Sequence, residues 1–452
     1  MRRLNTSIRE IPAVPDPADR MLALHAAFPA RYPVLLDSAA NGTALGRFSL
    51  LLAAPGECLT LDDAGQLKGR SPGDSFCARL NHWWRDEAAD PPSAPWPFAG
   101  GWFVFLGYEL ASEIEPTLRL PRSPLPLVAC AWRMRAAWLH DHLTGQSVIV
   151  AEPGAEPEAA ALCADIDGTL RFAAGPARSG AIVEDDPALY IEACRRTLRH
   201  IAAGDVYQAN IARAWRTRLP ENSSAAAVYA NLRAANPGAF AGIAQLGGLA
   251  ILSSSPERLV RVRGRNVDTR PIAGTRPRTA GTDNRSIGEL TGSAKERAEH
   301  VMLIDLERND LGRLCEPGTV HVDEFMVVES YAHVHHIVSN VSGRLRSEIA
   351  PGDVVRALFP GGTITGCPKV RCMQLIGDLE GAGRGAYTGS IGYLALDGSM
   401  DLNILIRTMT LNHGVLEWRA GAGIVADSEP ERELDETRAK ARGLLRALGS
   451  EA

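Results

Sequence analysis

Glu257 follows a Ser253-Ser-Ser-Pro turn, and the chain returns to Ala273 within Pro271-Ile-Ala-Gly-Thr275. Both turns have the character of strand ends that aim short polar groups into one cavity. A lone carboxylate placed there is the group that fixes the kind of chemistry. Two further carboxylate pairs share one spacing: Glu296 with Glu299, and Glu433 with Glu436. On a helix, residues three apart lie on one face, and like charges there cost a few tenths of a kcal/mol unless something neutralises them. Two readings stand for each pair, a solvated helix face or half of a hard-cation site. Carboxylate oxygens with open positions for water suit Mg²⁺.

Arg407 ends the apolar run Ile404-Leu-Ile, as a surface residue or as a bidentate carboxylate anchor. Gly421-Ala422-Gly423 is either a nest of backbone N–H groups for an anion or a tight turn out of a strand. Gly361 to Lys369 superficially suggests a phosphate loop. Cys367 and Pro368 precede its lysine and Val370 follows it, so it fails the nucleotide-binding pattern. His333, His335 and His336 lie close together. Strand alternation separates His336 from the other two, a poor arrangement for three ligands to one metal. One of them could carry a proton, or be structural.

The elements that position these residues follow from periodicity. Tyr190 to Ala203 has helical spacing, closed by Gly204-Asp205, and further helices are predicted at about 293–306 and 430–448. Strands are predicted at 206–215, 249–253, 259–262, 390–395, 403–411 and 415–422. The first 150 residues give short apolar runs broken by Pro and Gly, at 32–38, 47–53 and 101–108. Six of the tryptophans (83, 84, 96, 102, 132, 138) lie there, which suits a sheet with large packed side chains. Residues 151–186 form a connector with one short helix. Strands dominate without strict alternation with helices, so the expectation is α+β with mixed or antiparallel sheets.

Composition bounds the function. The 452 residues suit two domains or one large composite domain. A net charge of −5 gives no electrostatic reason to expect nucleic acid. The first ten residues lack an apolar run, so no signal peptide is expected. No run of about eighteen apolar residues exists to span a membrane. The eight cysteines are scattered and suit reduced thiols of a cytoplasmic protein.

With these residues in place, the chain resembles the chorismate-utilising enzymes. Within them it looks like the aminodeoxychorismate synthase branch, close to anthranilate synthase component I. Nine motifs in order carry the resemblance: GDVYQAN, SSSPERL, PIAGT, KERAEHVMLIDLERNDLGR, HHIVSNVSG, FPGGTITGCPKVR, GSIGY, ILIRT and GAGIVADSEPERELDET. LLDSA, GRFSLL and GGWFVFLGYEL resemble the N-terminal region of the same enzymes. The resemblance implies a large sandwich of two antiparallel β-sheets flanked by helices. It also implies an N-terminal anthranilate synthase component I-like region over 1–175 and a C-terminal chorismate-binding catalytic region over 185–450.

It further implies Mg²⁺, with Glu299 and Glu436 as direct ligands and Glu296 and Glu433 as further ligands or acting through water. The metal would take the ring carboxylate of chorismate. Arg407, Tyr387 and the backbone of Gly421, Ala422 and Gly423 would hold the enolpyruvyl carboxylate. Thr275 and Thr363 would line the ring pocket, and Lys440 counts among the substrate-binding residues. Glu257 matches the acid that protonates the departing carbon-4 hydroxyl. His336 matches the histidine that assists pyruvate loss in anthranilate synthase.

Two positions separate the branches. Gln208 stands where water-using relatives have a lysine base, which implies ammonia as nucleophile, delivered by a separate glutamine amidotransferase. Ala273 stands where well-known aminodeoxychorismate synthases have a lysine that bonds to carbon 2, so a covalent lysine route from this position is excluded. The expected reaction is amination of chorismate to 4-amino-4-deoxychorismate for 4-aminobenzoate and folate. The alternative is amination at carbon 2 with pyruvate loss, giving anthranilate.

Overall fold

Alternation along the strands sorts their side chains into layers. Leu50 and Leu52 enter an inner core with Phe103, Phe105 and Ile251, while the intervening Leu51 turns outward to Trp138, Ile149 and Leu252. Trp102 and Val104, which alternate with Phe103 and Phe105, enter a different outer core. This is the period of two expected of a sheet buried on both faces. One outer face is covered by the helices Phe76–Glu87, Ala294–Gly312 and Pro351–Leu358. The other is covered by Pro17–Ala27, Glu156–Asp167, Ala225–Ala235 and Pro430–Ala447. The architecture is therefore the expected α+β sandwich flanked by helices.

This computed structural model describes the chain apart from residues 1, 4–5, 41–44, 91–94, 169, 173–178, 222, 279–286, 289–291, 293, 331–333 and 451–452. For residues 2–3, 275–277, 294–295 and 334 it describes the backbone alone. Apart from one short parallel pair, the described strands join a single antiparallel hydrogen-bonded network. Strands from the two ends of the sequence pair directly. Gly101–Leu106 lies between Leu127–Asp141 and Ser390–Ala395. Val34–Asp37 lies between Phe48–Asp62 and Phe240–Leu246.

The helix expected from Tyr190 spans Pro187–Ala202. Asp186 caps it by accepting from the Ala188 N–H at 2.8 Å, with proline in the first turn. The second expected helix runs further than its periodicity suggested, over Ala294–Gly312, and the third spans Pro430–Ala447. Two expectations are corrected. Trp83 and Trp84 lie on the Phe76–Glu87 helix rather than in a sheet. The strand expected over 403–411 is two strands, Met400–Asn403 and Thr408–Asn412. They are separated by a jog in which Arg407 adopts φ 50°, a left-handed conformation that interrupts the extended run. No helix among the described residues is long and apolar enough to cross a membrane.

Candidate active site

Ser253, Ser254 and Ser255 end their strand fully buried, and Glu257 follows with only 5% of its surface exposed. Its backbone is fixed on both sides. Its N–H donates to Ser255 Oγ at 3.2 Å, and its carbonyl accepts from the Ile404 N–H at 3.0 Å. Thr363 Oγ1 donates to Glu257 Oε1 at 2.8 Å. Burial pushes the carboxyl up to about 7, against the Thr363 hydroxyl and the positive charges of Lys440 and Arg407. A carboxyl poised there holds a proton it can give up near neutral pH.

Ala273 is buried and pairs with Ile337, and the register slips between it and Thr275 around Gly274 at φ 62°. The slip places the Thr275 backbone opposite His336. The Thr275 side chain and all of His333 lie outside the described residues.

The floor of the site is made by the paired strands Gln208–Arg218 and Val415–Ile424. Ala209, Ile211, Ala422 and Ile424 enter a core on one face, which leaves Gln208, Asn210, Gly421 and Gly423 on the other. A Cβ on Gly423 would fall 2.3 Å from Gln208 Nε2. One on Gly421 would fall 2.6 Å from Asn210 Oδ1 and 2.9 Å from the Tyr387 hydroxyl. The glycines are thus required because amides and a phenol cross over them inside a strand. This corrects the tight-turn reading.

The backbone here also faces outward. Asn210 and Ala212 sit opposite Gly423 and Gly421 but send their N–H groups elsewhere, to the Thr365 carbonyl and to Glu380, each at 2.9 Å. Such pairs are the non-hydrogen-bonded ones of an antiparallel ladder, so the Gly421 and Gly423 N–H groups also point away from it. Beyond Trp418 no described strand pairs on that side. Lys440 Nζ donates to the Gly421 carbonyl there at 2.9 Å.

Arg407 anchors its jog by accepting from the N–H and hydroxyl of Ser254 at 3.1 and 3.0 Å. Its guanidinium makes no hydrogen bond to a described residue. Burial pulls its pKa down, opposed by the Glu257 charge. His336 is buried and pushed down to about 4, chiefly by that burial and then by the Arg407 charge, so it is neutral at physiological pH. Tyr387 is buried, and burial pushes its hydroxyl up to about 12, leaving a neutral donor. The Arg384 guanidinium lies 5.4 Å from its ring centroid. Arg384 is held by Glu380 at 2.5 Å and by the Asn210 carbonyl at 2.7 Å.

The carboxylate pairs meet this floor at two points. Gln208 Nε2 donates to Glu299 Oε1 at 3.1 Å, and Lys440 bonds Glu436 Oε1 at 2.8 Å. Glu296 and Glu433 are partly buried one turn away on the same helices. His300, next to Glu299 in sequence, turns into the core to Ser339 at 2.6 Å. Among the described residues, no three His, Cys, Asp or Glu side chains converge closely enough to hold a metal. Bare carboxylates repel one another, and here Gln208 and Lys440 each hold one in place. The donor set is carboxylate oxygen alone, which fits a hard cation such as Mg²⁺ rather than zinc.

Sequence reading did not find Arg384 or Glu380 as members of this neighbourhood. The Glu380–Arg384 spacing of four was the available signal for that pair.

A profile described as chorismate binding enzyme matches residues 46–446. An aminodeoxychorismate synthase from Streptomyces griseus is 38% identical over 92% of this chain, which spans 61% of that protein's length. An anthranilate synthase component 1 from Thermus thermophilus is 41% identical over 79% of each chain. Among solved structures, anthranilate synthase component I from Streptococcus pneumoniae superposes with a TM-score of 0.79 at 29% identity, covering 88% of this chain and 92% of that one. The menaquinone-specific isochorismate synthase from Escherichia coli shares the fold, with a TM-score of 0.73 at 19% identity, covering 99% and 95% of the two chains.

Proposed function

Because the chain belongs to the chorismate binding enzyme family, we propose that it aminates chorismate with ammonia to give 4-amino-4-deoxychorismate. The observation that carries the choice of nucleophile is Gln208. Its amide N–H₂ is committed to Glu299, and its Oε1 is buried with no donor among the described residues. An amide cannot activate water as a base, but an unmet carbonyl acceptor can take an N–H of ammonia. The ammonia would come from a separate glutamine amidotransferase, and the product would feed 4-aminobenzoate and folate synthesis.

In this reading Glu257 gives its proton to the carbon-4 hydroxyl, which leaves as water. Ala273 offers no nucleophile, so ammonia adds at carbon 2. A second ammonia then enters at carbon 4 as the first nucleophile departs with its electron pair. Arg407, Tyr387 and the outward N–H groups of Gly421 and Gly423 would orient the enolpyruvyl carboxylate. Glu296, Glu299, Glu433 and Glu436 would hold Mg²⁺, which would withdraw electron density from the ring carboxylate.

Similarity to the Streptomyces griseus enzyme over most of the chain supports carbon 4. Ala273 and the relatives named anthranilate synthase favour a second reading, in which amination at carbon 2 is followed by pyruvate loss assisted by His336. Purified protein with chorismate, Mg²⁺ and an ammonium salt decides between them. Product that yields 4-aminobenzoate only after a lyase is added is expected. Fluorescent anthranilate with pyruvate would establish the second reading instead.

A further inference from the structure

We propose that Asn210 is a second ammonia station on the floor of the site, and that its side-chain carbonyl directs the amine that enters at carbon 4. The inference rests on the reading of the protein as a carbon-4 aminase, and assigns the second of its two ammonia additions. Asn210 is only 8% exposed. Its backbone is anchored on both sides: the N–H donates to the Thr365 carbonyl at 2.9 Å, and the carbonyl accepts from Arg384 at 2.7 Å. The side chain has no such anchor. Its Oδ1 is buried and receives no hydrogen bond from any described residue. The Tyr387 hydroxyl stands over the same glycine, Gly421, without donating to it. A buried acceptor left without a donor is rare in a folded protein, and points to one supplied by a ligand.

Gln208 has the same property, with its N–H₂ turned to Glu299 and its Oε1 unmet. The two residues share one face of one strand, roughly 6–7 Å apart along it. Gln208 lies across Gly423 and Asn210 across Gly421, so their amides run side by side along the floor. Ammonia suits both, because giving an N–H to a carbonyl leaves its lone pair free to attack. The order along the floor matches the order round the ring. Gln208 adjoins Glu299, at the end proposed for the ring carboxylate, so it serves carbon 2. Asn210 adjoins Tyr387 and Gly421, at the end proposed for the enolpyruvyl group, so it serves carbon 4. The first addition forms a carbon–nitrogen bond at carbon 2, shifts the ring double bonds and expels the carbon-4 hydroxyl as water. That water takes the Glu257 proton, which the new ammonium group replaces. The second addition forms a bond at carbon 4, shifts the double bonds back and expels the first amine. The departing amine takes the proton that the incoming nitrogen gives up.

Asn210→Val removes the acceptor and keeps a strand-forming side chain, with Asn210→Ala in its place if the valine variant does not fold. Given chorismate, Mg²⁺ and an ammonium salt, its ratio of 4-amino to 2-amino product should fall about ten-fold or more against the wild type. The KM for chorismate should stay unchanged. Asn210→Asp has the same shape and still accepts, so it should keep more of the carbon-4 product. Supplied with the isolated carbon-2 amine and ¹⁵N-ammonium, the wild type should place ¹⁵N at carbon 4. Asn210→Val should do so more slowly, again by about ten-fold or more. A raised KM for chorismate in both variants with an unchanged product ratio would show that the amide holds substrate instead, and overturns the proposal. Wild-type ratio and kinetics in Asn210→Val would show that water fills the station, and overturn it too. These outcomes leave the carbon-4 reading standing. A wild-type protein that itself releases anthranilate and pyruvate removes that reading and the station together.

Discussion

The Thr363 hydroxyl donates to Oε1 of Glu257 at 2.8 Å, inside a pocket that buries the carboxyl. A hydrogen bond to the ionised form favours that form, so Thr363 keeps the acid strong enough to release its proton. Thr363→Val preserves the shape and removes the donor. The alkaline limb of the kcat profile should move to higher pH, while kcat on the plateau falls about ten-fold as the acid weakens. A limb at its original position would show that the hydroxyl does not act on Glu257.

Glu257→Gln should lower kcat by at least about 10², the typical share of a general acid. It should also change the dependence of stability on pH. The folded carboxyl titrates near 7, above its ordinary value of 4.5. Its contribution to folding is therefore full below the ordinary value and is lost as pH rises through about 7. Above that, the wild type holds a buried charge that the amide does not. Thermal unfolding at pH 6 and pH 8 should show the variant gaining on the wild type at the higher pH, by about 1–3 kcal/mol.

Gly423→Ala would push a methyl group into Gln208 Nε2, 2.3 Å away, and break the bond from that amide to Glu299. The side chain can yield where backbone could not, so the fold should survive. We expect kcat/KM for ammonium to fall about ten-fold or more, with far-ultraviolet circular dichroism unchanged. Unaltered kinetics would remove Gln208 from the site.

Chelation should abolish turnover, and added Mg²⁺ should restore it. Glu436→Gln should raise the Mg²⁺ concentration for half-maximal activity by about ten-fold or more. Lys440 Nζ bonds Glu436 at 2.8 Å, so its ammonium would compete with Mg²⁺ for that carboxylate. Full activity in the presence of chelator would refute the metal reading.

Much of this was legible before any coordinates. The three helices that carry Cys194, Glu299 and Glu436 showed themselves by spacing, because helical periodicity is local. Glu257 declared itself by standing alone between a serine turn and an apolar strand. Other features were hidden because their causes are distant in sequence. Arg407 breaks a continuous apolar run only because Ser254 captures its carbonyl, a contact across 153 residues. The glycines at 421 and 423 suggested a nest or a turn, because no local signal shows which side chains cross them from another strand.

The seam made by Gly101–Leu106 with Ser390–Ala395, and by Val34–Asp37 with Phe240–Leu246, has a practical corollary. The chain can be severed between Asp167 and Val183 without cutting any described strand of the sandwich. Co-produced as two polypeptides, the pieces should reassemble along those ladders, whereas either piece alone would expose open sheet edges and aggregate. Activity of the mixed fragments would then register whether the two have met.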